Sequence, residues 1–270
     1  MTPVLVFDIE TVPDVDGLRK TLNFGAVDVG TLSDAQVAAH AFALRKEKTG
    51  GEFLPLHQHK IIAIGCLFRD QEGLRVRCLG QASDSNSEAK LVQDFFKTID
   101  RYTPQMVSWN GSGFDMQVLH YRALVHKVQA QRYWDLGDDD RDFKWNNYIS
   151  RYHTRHTDLM DLLALYSARA NAPLDDLAKI CGFPGKLGMD GSQVWPAYQE
   201  GKLAEIRDYC ETDVANTYLM YCQFQLFRGF WSHEHYEREM LLVRETLAAI
   251  DAVHWRQFLA AWPLAEPSRA

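Results

Sequence analysis

Asp8 and Glu10 are the first residues in the chain whose types and spacing suit catalysis. They lie in Val4-Leu5-Val6-Phe7-Asp8-Ile9-Glu10-Thr11, an apolar run that ends at the Val12-Pro13-Asp14 turn. A short run rich in Val and Ile and closed by a turn predicts a buried strand. Alternation along that strand puts Asp8 and Glu10 on one face, Phe7 and Ile9 on the other. Neighbouring carboxylates in a buried setting repel each other, and a hard divalent cation with oxygen ligands relieves the repulsion. On this stretch alone the competing reading stays open: both acids simply leave the strand into water.

Two further places present acids. Asp115 follows the turn Asn110-Gly111-Ser112-Gly113, where a strand passes into a helix. In α/β sheets such turns are where ligand sites are built. The glycines admit close approach of backbone to a ligand, Asn110 offers an amide and Phe114 a stacking face. In Tyr209-Cys210-Glu211-Thr212-Asp213, the tyrosine and final aspartate are four residues apart and share one helix face. Asp208, Glu211 and Glu205 read as solvated charges, and Asp158 and Asp161 as acids suited to a helix start.

The elements that must position these groups follow from periodicity. Lys60–Phe68 and Leu74–Leu79 predict a hairpin, with Gly73 in its turn. Ser87-Glu88 opens a helix carrying Leu91, Val92, Phe95, Phe96 and Ile99 at helical spacing. Gln105–Trp109 predicts another strand, and a helix runs from Phe114 through Val118, Leu119, Leu124 and Val125. A short strand ends at His156-Thr157-Asp158, with a helix continuing over 159–166. A small helix starts at Pro173 and stops at Gly182. Leu203–Phe227 predicts the longest helix, with Ile206, Cys210, Val214 and Thr217 as its inward stripe. Two helices follow, over Ser232–Ala248 and Asp251–Ala261, before a Pro-containing tail. Between the first two strands lies a long insertion. Ser33 caps a helix in it that ends near Gly50, and Arg45, Lys46 and Lys48 form either a backbone clamp or a solvated helix end. Asp135, Asp138, Asp139, Asp140 and Asp142 lack EF-hand spacing and predict an exposed loop. His57, His59, His153 and His156 have no ligand spacing with the acids and read as surface or loop residues.

Taken together, Phe7-Asp8-Ile9-Glu10-Thr11, Asn110-Gly111-Ser112-Gly113-Phe114-Asp115 and Tyr209-Cys210-Glu211-Thr212-Asp213 resemble the three motifs of the DEDDy 3′–5′ exonucleases. The nearest likeness is to predicted exonucleases related to the proofreading domain of family B DNA polymerases. The stretch Gly182-Phe183-Pro184-Gly185-Lys186-Leu187-Gly188-Met189-Asp190-Gly191 shares it. The resemblance implies an α/β fold, a ribonuclease H-like mixed five-stranded sheet flanked by helices, over residues 1–230. Residues 231–270 would be a helical extension packed on the same domain, and with no polymerase domain following, a stand-alone nuclease is expected. The implied activity is hydrolysis at 3′ ends of single-stranded DNA, releasing nucleoside 5′-monophosphates with two divalent metal ions, Mg2+ or Mn2+. Asp8 would bridge the ions, Glu10 and Asp213 complete the one that holds the water, and Asp115 serve the other. Tyr209 would orient that water, while Thr11, Asn110 and Phe114 would contact the terminal nucleotides.

Composition sets bounds on this expectation. A chain of 270 residues with 46% hydrophobic and 12% aromatic residues can bury a sizeable core. A formal net charge of −7 argues against a protein that coats nucleic acid through a broad basic surface, but leaves room for one that grips a few phosphates through cations. Five scattered cysteines with no Cys-x-x-Cys pair predict free thiols and a cytoplasmic location. No apolar stretch is long enough for a membrane span, and the first strand is too short for a signal peptide. The same chemistry on RNA, or a non-catalytic nucleic-acid-binding module on the same fold, are the alternatives. The second needs a lost ligand, and all four acids are present.

Overall fold

The computed structural model describes residues 2–25, 27–80 and 88–263, and its centre is a five-stranded mixed sheet ordered β3-β2-β1-β4-β5. Strand β1 (Val4–Pro13) runs antiparallel to β2 (His59–Asp70), which forms the expected hairpin with β3 (Gly73–Cys78). On its other side β1 pairs in parallel with β4 (Gln105–Ser108), and β4 with β5 (His156–Asp158). The β1–β4 ladder stops at Val6–Val107, so the second half of β1 is bordered by β2 alone. That half carries Asp8 and Glu10.

The alternation in β1 sorts the two layers. Leu5, Phe7 and Ile9 pack against α3 (Glu88–Tyr102) and α4 (Asp115–His126), with Phe95, Phe96, Ile99 and Leu119 as partners. Val4 and Val6 face the opposite layer, built on α8 (Leu203–Phe227), whose Val214, Ala215, Tyr218 and Leu219 are buried there. Against α8 pack α6 (Leu174–Ile180), α9 (His233–Ala248) and α10 (Val253–Ala261), the last two through Val243, Leu247, Trp255 and Phe258. Glu239 of α9 also accepts from Arg69 of β2 (2.6 Å) and from the Tyr218 hydroxyl. Among the described residues, no helix is long and apolar enough to cross a membrane.

The insertion folds on its own small core. Helices α1 (Val15–Thr21) and α2 (Asp34–Thr49) bury Leu18, Phe24, Val37 and Ala41 with Leu54. Ser33 and Gln36 form a reciprocal capping box, and Gly50 ends α2 in the left-handed conformation. Arg45 donates to the Phe53 carbonyl and Lys46 pairs with Glu52, so these two cations hold the chain after the helix. Buried Arg122 joins this region to the sheet layer: it reaches Asp14 at 2.6 Å and Glu88 bidentately, while Glu88 accepts the Ile61 N–H.

Several expectations need correction. Helix α5 covers only Leu159–Leu163, because Leu165 and Tyr166 adopt positive φ and turn the chain away. Leu124 and Val125 are exposed and take no part in the α4 core. Helices α1 and α7 (Val194–Gln199) are additional; each is short, one holding Gly17 and the other Pro196. The acidic loop is not wholly exposed: Asp135 is buried and accepts the N–H groups of Gly137 and Asp140. Ser87 and the tail beyond Pro263 lie outside the described residues.

One contact sets the height of α8 above the sheet. Gly65 of β2 lies beside Asp8, and a Cβ placed on it would meet both the carbonyl and the sulfur of Cys210 at 2.9 Å. Both neighbours sit in packed core, so neither yields freely. Gly65→Ala should therefore cost about 1–3 kcal/mol of stability. Urea unfolding measures this, and a loss below about 0.5 kcal/mol would mean the helix can ride higher at no cost.

Candidate active site

The close crossing at Gly65 delivers one end of α8 to the open half of β1. One ligand atom from each of Asp8, Glu10 and Cys210 lies within 4.8 Å of the others. The Cys210 thiol accepts from the Gly65 N–H at 3.1 Å and lies 3.5 Å from Asp8 Oδ2. Tyr209 and Asp213 flank Cys210 on the same helix and are buried. Asp115, the first residue of α4, turns its Oδ1 to the Ile9 N–H at 3.0 Å, serving the part of β1 that β4 does not reach. The four acids named from sequence thus converge from three elements, Asp8 and Glu10 from β1, Asp115 from the start of α4 and Asp213 from α8.

Burial raises the proton affinity of all four. Burial, then the charges of Asp115 and Asp213, hold the Asp8 carboxyl well above its usual range. Burial and the Asp8 charge do the same to Glu10. Burial pushes Asp115 up to about 7 against the pull of the Ile9 N–H. Asp213 is raised by burial although Lys186 draws it down. The Tyr209 phenol is pushed far up by burial and by Asp213, Glu10 and Asp8, so it stays protonated. Such a phenol can orient a water but cannot deprotonate it.

Lys186 belongs to this group, and sequence reasoning missed it. Its Nζ is 3.1 Å from Asp213 Oδ2, donates to the Tyr209 hydroxyl and lies 4.9 Å from the centre of that ring. Burial works against the ammonium, but Asp213, Asp8 and Glu10 outweigh it and raise its pKa. The lysine is brought in by Asn216, whose side chain brackets Gly185, accepting its N–H and donating to its carbonyl. The available signal was polarity: Tyr209, Asp213 and Asn216 recur at helical spacing on a mostly apolar helix. One ammonium does not balance the cluster. Asp213 Oδ1 is buried with no hydrogen-bond partner among the described residues. An orphaned carboxylate oxygen beside further crowded carboxylates fits the donor set of a hard divalent cation.

The substrate-contact expectations divide. Thr11 and Phe114 line a cavity of about 660 Å3 that opens beside Glu10. Asn110 adopts φ 65°, a conformation Asn tolerates, and forms the corner of the turn. Gly113 leaves room for the Asn110 side chain, since a Cβ would lie 2.4 Å from Asn110 Oδ1. Asp158 is more than a helix-start acid. Besides capping α5, it accepts the N–H groups of Asn110 (2.9 Å) and Ser112 (2.8 Å) and so shapes the turn that presents Asp115. Glu211 is not simply solvated either: it accepts from the Cys78 N–H and contacts His254, tying α8 to β3 and α10. His59 and His156 are buried rather than surface residues, His156 bonding Ser108 behind Phe7. Trp109 packs against the core and donates to the Ala172 carbonyl, as a core residue should.

A mixed sheet of this order, with acids on its middle strand and a long helix crossing it, is a ribonuclease H-like fold. Over residues 51–262, more than half of its length, the sequence matches the family described as "Predicted 3'-5' exonuclease related to the exonuclease domain of PolB". The chain belongs to this family of 3′–5′ exonucleases. The match begins after β1, so Asp8 and Glu10 join the matched residues through geometry. Among solved structures, the family B DNA polymerase from the hyperthermophilic archaeon Pyrobaculum calidifontis is similar at TM-score 0.50 and 16% identity, over 96% of this chain. That likeness concerns the fold, and it spans 27% of the polymerase chain. No curated protein matches the chain.

The raised carboxyls make a sign-definite prediction for protein stripped of ions. A folded-state pKa above the unfolded value means the folded state holds protons that the unfolded state releases. That stabilisation is complete below the unfolded value of 3.8 for Asp115 and is lost as pH rises through about 7. The thermal midpoint of chelated protein should therefore fall between about pH 5 and pH 8, and Asp115→Asn should flatten that slope. Millimolar Mg2+ or Mn2+ should raise the midpoint more at the higher pH. Equal shifts at both ends would contradict the electrostatic account.

Proposed function

We propose that the chain is a metal-dependent 3′–5′ exonuclease acting on single-stranded DNA ends and releasing nucleoside 5′-monophosphates. The observation that carries this reading is the bare, buried Asp213 Oδ1 beside the crowded carboxyls of Asp8 and Glu10. Membership of the exonuclease family supports it. Asp8, Glu10, Asp115 and Asp213 are the residues that would hold two divalent ions, Mg2+ or Mn2+. When bound, such ions supply positive charge to the phosphodiester and lower the pKa of the attacking water.

The chain's own groups do the rest. Tyr209, kept neutral by its surroundings, holds a hydrogen bond ready for the attacking water. Lys186 fixes the Tyr209 hydroxyl and offsets the charge of Asp213, so the pair keeps one orientation. Phe114 offers a stacking face beside the cavity that takes the 3′ end, and stacking accepts any base. Asn110 shapes the turn that carries Phe114, and Thr11 meets the terminal sugar. We read residues 1–230 as the exonuclease unit and 231–270 as an extension packed on it, in keeping with the apolar contacts of α9 and α10 with α8. Five free thiols suit a reducing compartment, the cytoplasm.

A 5′-labelled single strand with Mg2+ or Mn2+ tests the reading. Wild type should give a ladder of shortened products that retain the label, chelator should abolish it, and Asp8→Ala should lower kcat by about 1,000-fold or more. Paired DNA and RNA oligomers should show the DNA strand cut faster. An intact strand with wild type under both metals would overturn the enzyme reading.

Tyr209→Phe and Lys186→Met test the orienting pair. Each should lower kcat by about 10- to 100-fold with little change in KM, since they act on the water and not on the strand. A rise in KM at constant kcat would reassign them to substrate binding.

A further inference from the structure

The cavity beside Glu10 contains a hydrogen-bond chain whose direction can be derived. His59 Nε2 lies 3.1 Å from the Leu54 carbonyl, and its Nδ1 lies 2.9 Å from Thr11 Oγ1. A carbonyl only accepts, so Nε2 carries the proton. In a neutral imidazole Nδ1 is then the acceptor, and the Thr11 hydroxyl must donate to it. Burial of His59 favours that neutral form. The single hydroxyl proton of Thr11 is committed, and what remains for a ligand is its lone pairs. Thr11 is an acceptor only.

Both residues line the cavity, and aromatic rings form part of its remaining wall. Phe53 and Phe114 stand 5.3 Å from the His59 ring, the second edge-on, and Trp195 lines the cavity as well. A cavity of about 660 Å3 whose lining is largely apolar, with Thr11, His59, Ser192 and the carboxyls of Glu10 and Glu52 as its polar groups, suits a nucleoside. The β1–β2 ladder slips between Glu10 and Thr11, and both residues line the cavity, Glu10 belonging to the acid cluster as well.

We propose that His59 is a positioning residue that locks Thr11 as an acceptor, so that the cavity selects strands ending in a free 3′-hydroxyl. This rests on the exonuclease reading above. A 3′-hydroxyl donates to Thr11; a terminal 3′-deoxy sugar leaves the acceptor without a partner. A fully ionised 3′-phosphate has no proton to donate to Thr11. Neither Thr11 nor His59 is a ligand in the carboxylate cluster. The pair acts on which end is accepted.

The test compares single strands that differ only in the terminal nucleotide, 3′-hydroxyl against 2′,3′-dideoxy, by kcat/KM at saturating Mg2+. Wild type should prefer the hydroxyl end by about five- to tenfold, the worth of one well-placed hydrogen bond. Thr11→Val and His59→Phe should each bring the ratio close to one, while His59→Asn, whose Oδ1 can take the place of Nδ1, should retain most of it. Retention of the full preference by His59→Phe, or no preference in wild type, overturns the inference and leaves the exonuclease reading standing. Failure of wild type to cut either strand overturns both. Thermal midpoints of the variants separate misfolding from a changed ratio, because a globally weakened fold lowers both rates together.

Discussion

The site depends on how closely α8 can approach β2. At Gly65 the sheet presents no side chain, and Cys210 descends until its sulfur meets a backbone N–H of the strand and the carboxylate of Asp8. That single contact brings Tyr209 and Asp213, from the far end of the sequence, to acids on the first strand. The layer order, the length of α8 and its nearly continuous burial all serve to hold that crossing in place. The acids then sit where β1 has run past β4 and is open on that side.

The packing that makes the site also strains it electrostatically. Four carboxyls withdrawn from water and crowded together hold protons they would otherwise release. Lys186 relieves part of this from within the chain without satisfying Asp213 Oδ1. The result is a centre still short of positive charge. It is poised for cations because its own lysine is insufficient.

The acids and Tyr209 were legible in the sequence because their chemistry is carried by residue type and local spacing. The strand alternation that sorts Phe7 from Asp8 was legible for the same reason, as were the long helices with strong periodicity. Lys186, Asp158 and His59 were not. Each works through a partner that is distant in sequence: Lys186 through Asp213 and Tyr209, Asp158 through the backbone of the Asn110 turn, His59 through Thr11. Nothing local marks such residues. Helix α5 ended early for a related reason, since the left-handed backbone of Leu165 and Tyr166 is a tertiary demand that neither side chain announces.

The Ile9 N–H to Asp115 bond changes how loss of activity would read in this fold. Asp115 completes the hydrogen bonding of the middle strand across 106 residues of sequence, so the fold has its own use for an acceptor there. A descendant that had given up hydrolysis would still be held to Asp, or to Asn, at that position. Asp213 Oδ1 receives no such bond, and the fold's own use of that side chain rests on the contact of Oδ2 with Lys186. In judging whether a similar chain is a living enzyme or a retired one, an acid at the Asp115 position says little, and one at the Asp213 position says most where no cation stands at the Lys186 position to pair with it.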